Sequence, residues 1–169
     1  MAFLSNRIKS LRFVLDVVDR ETLPAVPGQP APAPETLRVL GTTSVEFYDR
    51  RDQAFWPLLR LPVIYLGGPD VPLLVESVRD LCALKRPGFA FRSGSHDELV
   101  LQVVRQGEGF VVEAGLDLGA YLFETSGLPS DPGRELALFR FETGTAELVV
   151  FADQLKEQLS SLAPGGALR

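Results

Sequence analysis

Soft metal ligands are almost missing from this sequence: its 169 residues contain one cysteine, Cys82, and one histidine, His96. A structural zinc site draws on several Cys and His side chains in close-spaced pairs, so no metal and no cofactor is expected. One cysteine also excludes an internal disulfide and fits a reducing, cytoplasmic address. No stretch approaches the roughly 18 consecutive apolar residues of a membrane-spanning helix, so no membrane association is expected. The opening "MAFLSNRIKSLRF" is broken by Asn6, Arg7, Lys9 and Arg12, which leaves no uninterrupted apolar segment of the kind a secretory signal carries. Basic charge is short as well. Lys and Arg number 17 against 22 Asp and Glu, a net charge of -5, and the pI is near 4.9. Nonspecific binding of DNA or RNA depends on a cationic surplus, so nucleic acid is not an expected partner.

What is present is the ordinary material of a folded domain. The chain is 46% hydrophobic and 23% charged, and its length suits one domain over residues 1–169 with a sizeable core. Residues 11–19, "LRFVLDVVD", place Leu11, Phe13, Leu15 and Val17 on alternate positions, the pattern of a half-buried strand. The following "PAVPGQPAPAP", residues 24–34, removes backbone donors and favours an extended chain, so it is read as a surface loop or linker. Its Pro24, Pro27 and Pro30 match the spacing of a proline-rich ligand, but no basic residues flank them.

"TLRVLGTTSVEFY", residues 36–48, reads as a second strand, bent or bulged at Gly41. "DRRDQAFWPLLRLP" reads as an irregular crossing segment, and "VIYL", residues 63–66, as a third strand. A first amphipathic helix is expected over about 70–85, with Asp70 as N-cap, Leu74, Val78, Leu81 and Cys82 on its apolar face, and Pro87-Gly88 as its stop. "ELVLQVVR" and "FVVEAGLDL" read as two strands joined at "QGEG", whose glycines suit a tight hairpin. Phe110, Val112, Ala114, Leu116 and Leu118 face the core, with Glu113 and Asp117 on the wetter side. Val100 and Val104 suggest that the preceding strand is covered on both faces. After the turn-rich "ETSGLPSDPGR", "ELALFRF" makes another strand. A second helix is expected over about 145–162, capped by Thr145, with Leu148, Phe151 (or Ala152), Leu155, Leu159 and Leu162 as its stripe, and Pro164-Gly165-Gly166 end it.

Residues 63–84 and 138–159 align without a gap, each as an apolar strand, a three-residue link, a capping residue and a helix with leucine at the fourth cap-relative position. Two β-loop-α units are implied, though short βα links are common in any case. The expected fold class is α+β, a largely antiparallel sheet layer with the two helices packed on it.

Catalytic residue types occur without a catalytic motif. Ser95, His96 and Asp97 stand in a row, but successive residues of extended chain point to opposite sides and cannot form one relay. A triad would need Ser126, Ser130 or Asp131 brought to His96 from a distant loop. Cys82 falls on a helical core stripe, where cysteine behaves as a small hydrophobe. "GGPD" lacks both the Lys-Ser/Thr ending of a phosphate loop and its glycine spacing, and Asp70 puts negative charge where an anion would sit. "DLGAYLFETSGLPSD" has no EF-hand order. Glu113 and Asp117, on a wet strand face, are read as solubility residues.

The segment richest in interface residue types is "YDRRDQAFWPLLR". Arg50, Arg51, Phe55 and Trp56 sit together there, and Trp, Tyr and Arg dominate interface hot spots. The competing reading buries Phe55 and Trp56 as plugs at the end of the core. Trp56 exposure separates the two.

The order of the helix "DVPLLVESVRDLCAL", the strands "FAF", "ELVLQVV" and "FVVEAGLDL", and "LALFRF" leading to the helix "ELVVFADQLKEQLSSL" resembles WapI-type bacterial immunity proteins over roughly residues 60–162. The resemblance implies a small cytoplasmic protein that neutralises a toxin by binding it. The first 60 residues depart from that pattern through the proline-rich insertion, and no binding residue carries over. The expected function is therefore a non-enzymatic module that binds another protein, as an immunity or inhibitor protein does, or itself. The alternative is a small enzyme or ligand-binding domain that uses His96 and nearby loop carboxylates.

Overall fold

In a computed structural model the chain folds into two four-stranded antiparallel sheets and two helices. The structure describes residues 1–22, 37–93, 98–117 and 136–162. The proline-rich segment 24–34, His96 with its neighbours Ser95 and Asp97, the loop residues Ser126, Ser130 and Asp131, Leu118, and Pro164 to Gly166 lie outside them.

The first sheet has the order β1 (Ala2–Ser5), β2 (Leu11–Thr22), β3 (Leu37–Asp49), β4 (Ala54–Gly67), and α1 (Asp70–Cys82) follows it. The second has the order β5 (Gly88–Arg92), β6 (Leu99–Gln106), β7 (Gly109–Asp117), β8 (Leu136–Thr143), and α2 (Thr145–Ser161) follows it. The α+β expectation holds, with its strands divided between two sheets. Each half of the chain is a four-stranded meander ending in a helix, and the two helices pack on each other. The aligned segments 63–84 and 138–159 thus occupy equivalent places in the two halves.

The core follows from the alternation. Phe13, Leu15 and Val17 of β2 share an inner face with Leu4, Val45, Leu61 and Ile64. Leu99, Leu101 and Val103 of β6 and Phe110, Val112, Ala114 and Leu116 of β7 form the inner face of the second sheet. Leu74, Val78 and Leu81 of α1, and Leu148, Phe151, Ala152 and Leu155 of α2, complete one continuous apolar cluster, with Cys82, Leu159 and Leu162 half-buried at its margin. Side-chain and backbone bonds also join the sheets. Thr143 Oγ1 donates to the Ser5 carbonyl at 2.7 Å, Arg7 N–H to the Glu142 carbonyl at 3.1 Å, and Tyr65 N–H to Glu98 Oε2 at 3.0 Å.

Several sequence expectations are corrected in detail. Strand β1 was not anticipated: four residues are too few to show a period. It is a sheet edge, and α2 covers it and the adjoining stretch of β2 with two glutamines one turn apart. Gln154 Oε1 accepts the Phe3 N–H at 3.0 Å, and Gln158 Oε1 accepts the Val17 N–H at 3.3 Å while its Nε2 donates to Asp16 at 2.6 Å. These bonds satisfy edge donors that would otherwise invite another strand. Gln158→Leu is expected to destabilise the fold by about 1–2 kcal/mol, measured as a lower urea midpoint with an unchanged slope.

Pro69 and Gly144, not Asp70 and Thr145, occupy the N-cap positions. Asp70 instead reaches back from the first helical residue, and its carboxylate accepts the Gly67 N–H at 2.6 Å, closing the turn from β4. Val104 is 42% exposed while Val100 is half-buried, so the second face of β6 is covered only in part. The expected bulge at Gly41 is present: pairing slips against both β2 and β4 there. The "QGEG" hairpin also forms, with Gln106 opposite Gly109 and Gly107 at a φ of 59°, where a side chain would be strained. Among the described residues no helix is long and apolar enough to cross a membrane.

Candidate functional site

The segment "DRRDQAFWPLLRLP" is not an irregular crossing. Residues 50–53 form a turn, and β3 and β4 pair on either side of it, with Asp49 opposite Ala54, Tyr48 opposite Phe55 and Phe47 opposite Trp56. The prolines that argued against a strand are accommodated because β4 is the outer strand of its sheet. Pro57 and Pro62 both lie where the pairing with β3 slips. A residue without an N–H is tolerated at such edges and bulges.

Successive strand residues point to opposite faces, so the four aromatics divide into two cross-strand pairs. Tyr48 and Phe55 lie on the outer face with ring centroids 5.2 Å apart. Below them Arg12 of β2 is held by Glu46, with Nε and a terminal nitrogen each 2.7 Å from Oε2, and Ser44 Oγ donates to the other carboxylate oxygen at 3.0 Å. The Arg12 guanidinium carbon is 3.9 Å from the Phe55 ring centroid and 5.4 Å from that of Phe3. A fixed guanidinium between two ring faces combines hydrogen bonds with cation–π attraction, and it sets the position of Phe55. Arg12→Met is expected to cost about 1.5–3 kcal/mol, because Glu46 would be left half-buried with Ser44 alone as donor and no countercharge. Thermal unfolding checks this, and Glu46→Gln combined with Arg12→Met should recover part of the loss.

Trp56 and Phe47 continue the inner face beyond the buried core. Trp56 is 49% exposed, Phe47 and Tyr48 are each 36% exposed, and Leu58 is 53% exposed. Arg50 and Arg51 are exposed in the turn, where Asp49 accepts the Arg51 N–H at 2.7 Å. The structure therefore gathers Arg50, Arg51, Phe55 and Trp56 at one end of the first sheet but divides their surroundings. Phe55 is half-buried against Arg12, and Trp56 stands at the surface.

Sequence reasoning did not name Phe47, Tyr48, Leu58 or Arg12, although Tyr48 and Leu58 lie within the segment it singled out. A signal for the first two was there. In "FYDRRDQAFW" an aromatic pair stands at each end of a short polar stretch, the mirror arrangement that a hairpin brings into cross-strand contact. Arg12 comes from a strand far away in sequence and left no local sign.

Two concave regions among those bordering described elements are lined by helix residues and apolar side chains together. A shallow groove of about 740 Å³ between α1 and α2 has Val75, Leu159 and Leu162 in its lining. Its rim charges are largely satisfied within the molecule, by Arg79–Asp153 at 2.8 Å and Lys85–Asp80 at 2.9 Å. A smaller recess of about 390 Å³ lies beside the hairpin end, between Phe3, Arg12 and Phe55 on one side and Ala146 and Val150 of α2 on the other, with Lys9 and Glu147 in its lining.

Among the described residues every buried side-chain nitrogen and oxygen has a hydrogen-bond partner, and no group of three or more His, Cys, Asp or Glu is placed to hold a metal ion. Glu113 is half-buried and pairs with Arg140 at 3.5 Å. Cys82 packs against the core, and burial pushes its thiol above the ordinary value of 9.0. The raised value means less thiolate at neutral pH, so maleimide labelling of the folded protein at pH 7 is expected to be slower than in urea and to rise steeply above pH 9. The same sign makes Cys82 favour the folded state below its ordinary value and withdraw that support as pH rises through the folded one. No family model matches the chain, and no curated protein and no solved structure matches it either.

Proposed function

We propose that this chain is a non-enzymatic module that binds another protein through the β3–β4 hairpin end of its first sheet. The exposure of Trp56 carries the reading: a large aromatic buried as a core plug would not leave half its surface in water. Phe47, Tyr48 and Leu58 are exposed on the same hairpin, and Arg50 and Arg51 cap it. Tryptophan, tyrosine and arginine are the residue types that concentrate binding free energy at protein interfaces. The Arg12–Glu46 pair and the Phe3 and Phe55 rings hold the strands beneath it, so the surface is ordered before a partner arrives, which lowers the entropy lost on binding.

An immunity or inhibitor role, in which the partner is a toxin neutralised by direct contact, is the specific form of this reading. Its support is the resemblance of the helix and strand order over residues 60–162. The test is co-purification with the full chain as bait, followed by native mass measurement, run in parallel with Trp56→Ala. A defined complex or a dimer of the chain that is lost in the variant is expected. A strictly monomeric species with no complex, or a complex indifferent to Trp56, would overturn the reading.

A further inference from the structure

A meander returns to the same end at every second turn, so the β1–β2 turn, residues 6–10, neighbours the β3–β4 turn. Tyr48 N–H donates to the Ser10 carbonyl at 2.8 Å, and Leu11 stands opposite Phe47. Asn6 shapes the first turn. Its side-chain oxygen accepts the N–H groups of Ser10 and Leu11 at 2.8 and 3.1 Å, and Lys9 adopts a φ of 53°. The turn thereby presents Ile8, 80% exposed, between Arg7 and Lys9.

These two turns carry a charge opposite to that of the whole chain. Arg7, Lys9, Arg50 and Arg51 are all exposed, and among the described residues none of their side chains has a carboxylate partner. The carboxylates in the same turns are Asp49 and Asp52, while Glu46 is committed to Arg12. The chain as a whole carries -5, so an acidic partner is repelled by most of the surface and attracted here. Next to Lys9 lies the recess of about 390 Å³, walled by Phe3, Phe55 and Val150, with Lys9 and Glu147 both in its lining.

Resting on the protein-binding reading above, we infer that the partner offers an acidic segment with a protruding bulky apolar side chain. Its carboxylates face Lys9, Arg50 and Arg51, and the apolar side chain enters the recess between Phe3, Phe55 and Val150. Charge complementarity of this kind mainly sets orientation and association rate, while burial of the anchor supplies affinity. A walled recess suits a projecting side chain better than a flat lipid surface does.

Random peptides displayed for selection against the full chain, then titrated by Trp56 fluorescence, test this. Selected sequences should pair Asp or Glu with a large apolar residue and weaken as ionic strength rises. Arg50→Glu with Arg51→Glu, and separately Lys9→Glu, should each lower their affinity about tenfold or more. Val150→Trp, which fills the recess from an exposed helix position, should lower it without any change of charge. Neutral peptides, or acidic ones bound equally by the charge-reversed chains, would overturn the acidic partner while leaving the protein-binding reading intact if Trp56→Ala still weakens them. A selection that yields no peptide dependent on Trp56 overturns both. Vesicles of phosphatidylserine and phosphatidylcholine are the second probe. A Trp56 emission shift on these, without acidic peptides in the selection, would replace the acidic protein with a lipid surface.

Discussion

Phe151→Ala is expected to lower the stability of the fold by about 3–5 kcal/mol. Phe151 is fully buried on α2, and its ring meets Phe13 of β2 edge to face, 6.2 Å between centroids at 64°. Truncation removes that contact and opens a cavity at the junction of helix and sheet, where strands on one side and a helix on the other limit collapse. The consequence extends beyond packing, because α2 also supplies Gln154 and Gln158 to the edge of β1 and β2. A domain has about 5–15 kcal/mol of stability in total, so the variant should unfold at a much lower urea concentration. Phe151→Leu, which keeps most of the volume, should lose far less. A loss below about 1 kcal/mol for the alanine variant would mean that α2 does not sit on the first sheet in this way.

Trp56→Ala is expected to act on binding and spare the fold. An exposed hot-spot tryptophan contributes about 2 kcal/mol or more to a complex, roughly a thirtyfold weakening of Kd. Trp56 lies beyond the apolar cluster and half its surface already meets water, so the unfolding midpoint should shift by no more than about 0.5–1 kcal/mol in free-energy terms. Phe55→Ala should show the opposite balance. That ring lies over Arg12, and its loss loosens the Phe3–Arg12–Phe55 stack as well as the recess wall. Titration and denaturation of the two variants side by side separate a contact residue from a positioning residue.

The elements most legible in the sequence were those whose burial is one-sided and whose ends carry turn chemistry. β7 alternates from Phe110 to Leu116 because one face is core, and its hairpin with β6 closes at Gly107, where the backbone requires glycine. α1 and α2 announced themselves through Leu74, Val78 and Leu81 and through Leu148, Phe151 and Leu155. What escaped was governed by distant partners. β1 is four residues long and is completed by a glutamine from the other end of the chain, Gln154 standing 151 positions after Phe3. β4 was obscured because Pro57 and Pro62 argue against a strand in general but not against an outer strand with bulges, and strand order is not written locally. Val104 was read as covered because an apolar residue is not by itself evidence of burial.

The candidate site was legible in its residue types and not in its construction. Arg50, Arg51, Phe55 and Trp56 were recognisable as a group. That Phe55 would bind Arg12 while Trp56 faced water followed from pairing register alone. The contribution of the β1–β2 turn, with Ile8 and Lys9, depended on meander topology. His96 and the loop residues Ser126, Ser130 and Asp131 lie outside the described residues, and the enzymatic alternative gains no support from the geometry of the described ones.

The chain contains a single tryptophan, so its emission reports on Trp56 alone. Acrylamide quenching of that emission, with and without a bound partner, tests the central claim most directly. The account predicts ready quenching in the free protein, and a blue shift with strong protection in the complex. A complex in which Trp56 stays as accessible as in the free chain would place the binding surface elsewhere and contradict the account.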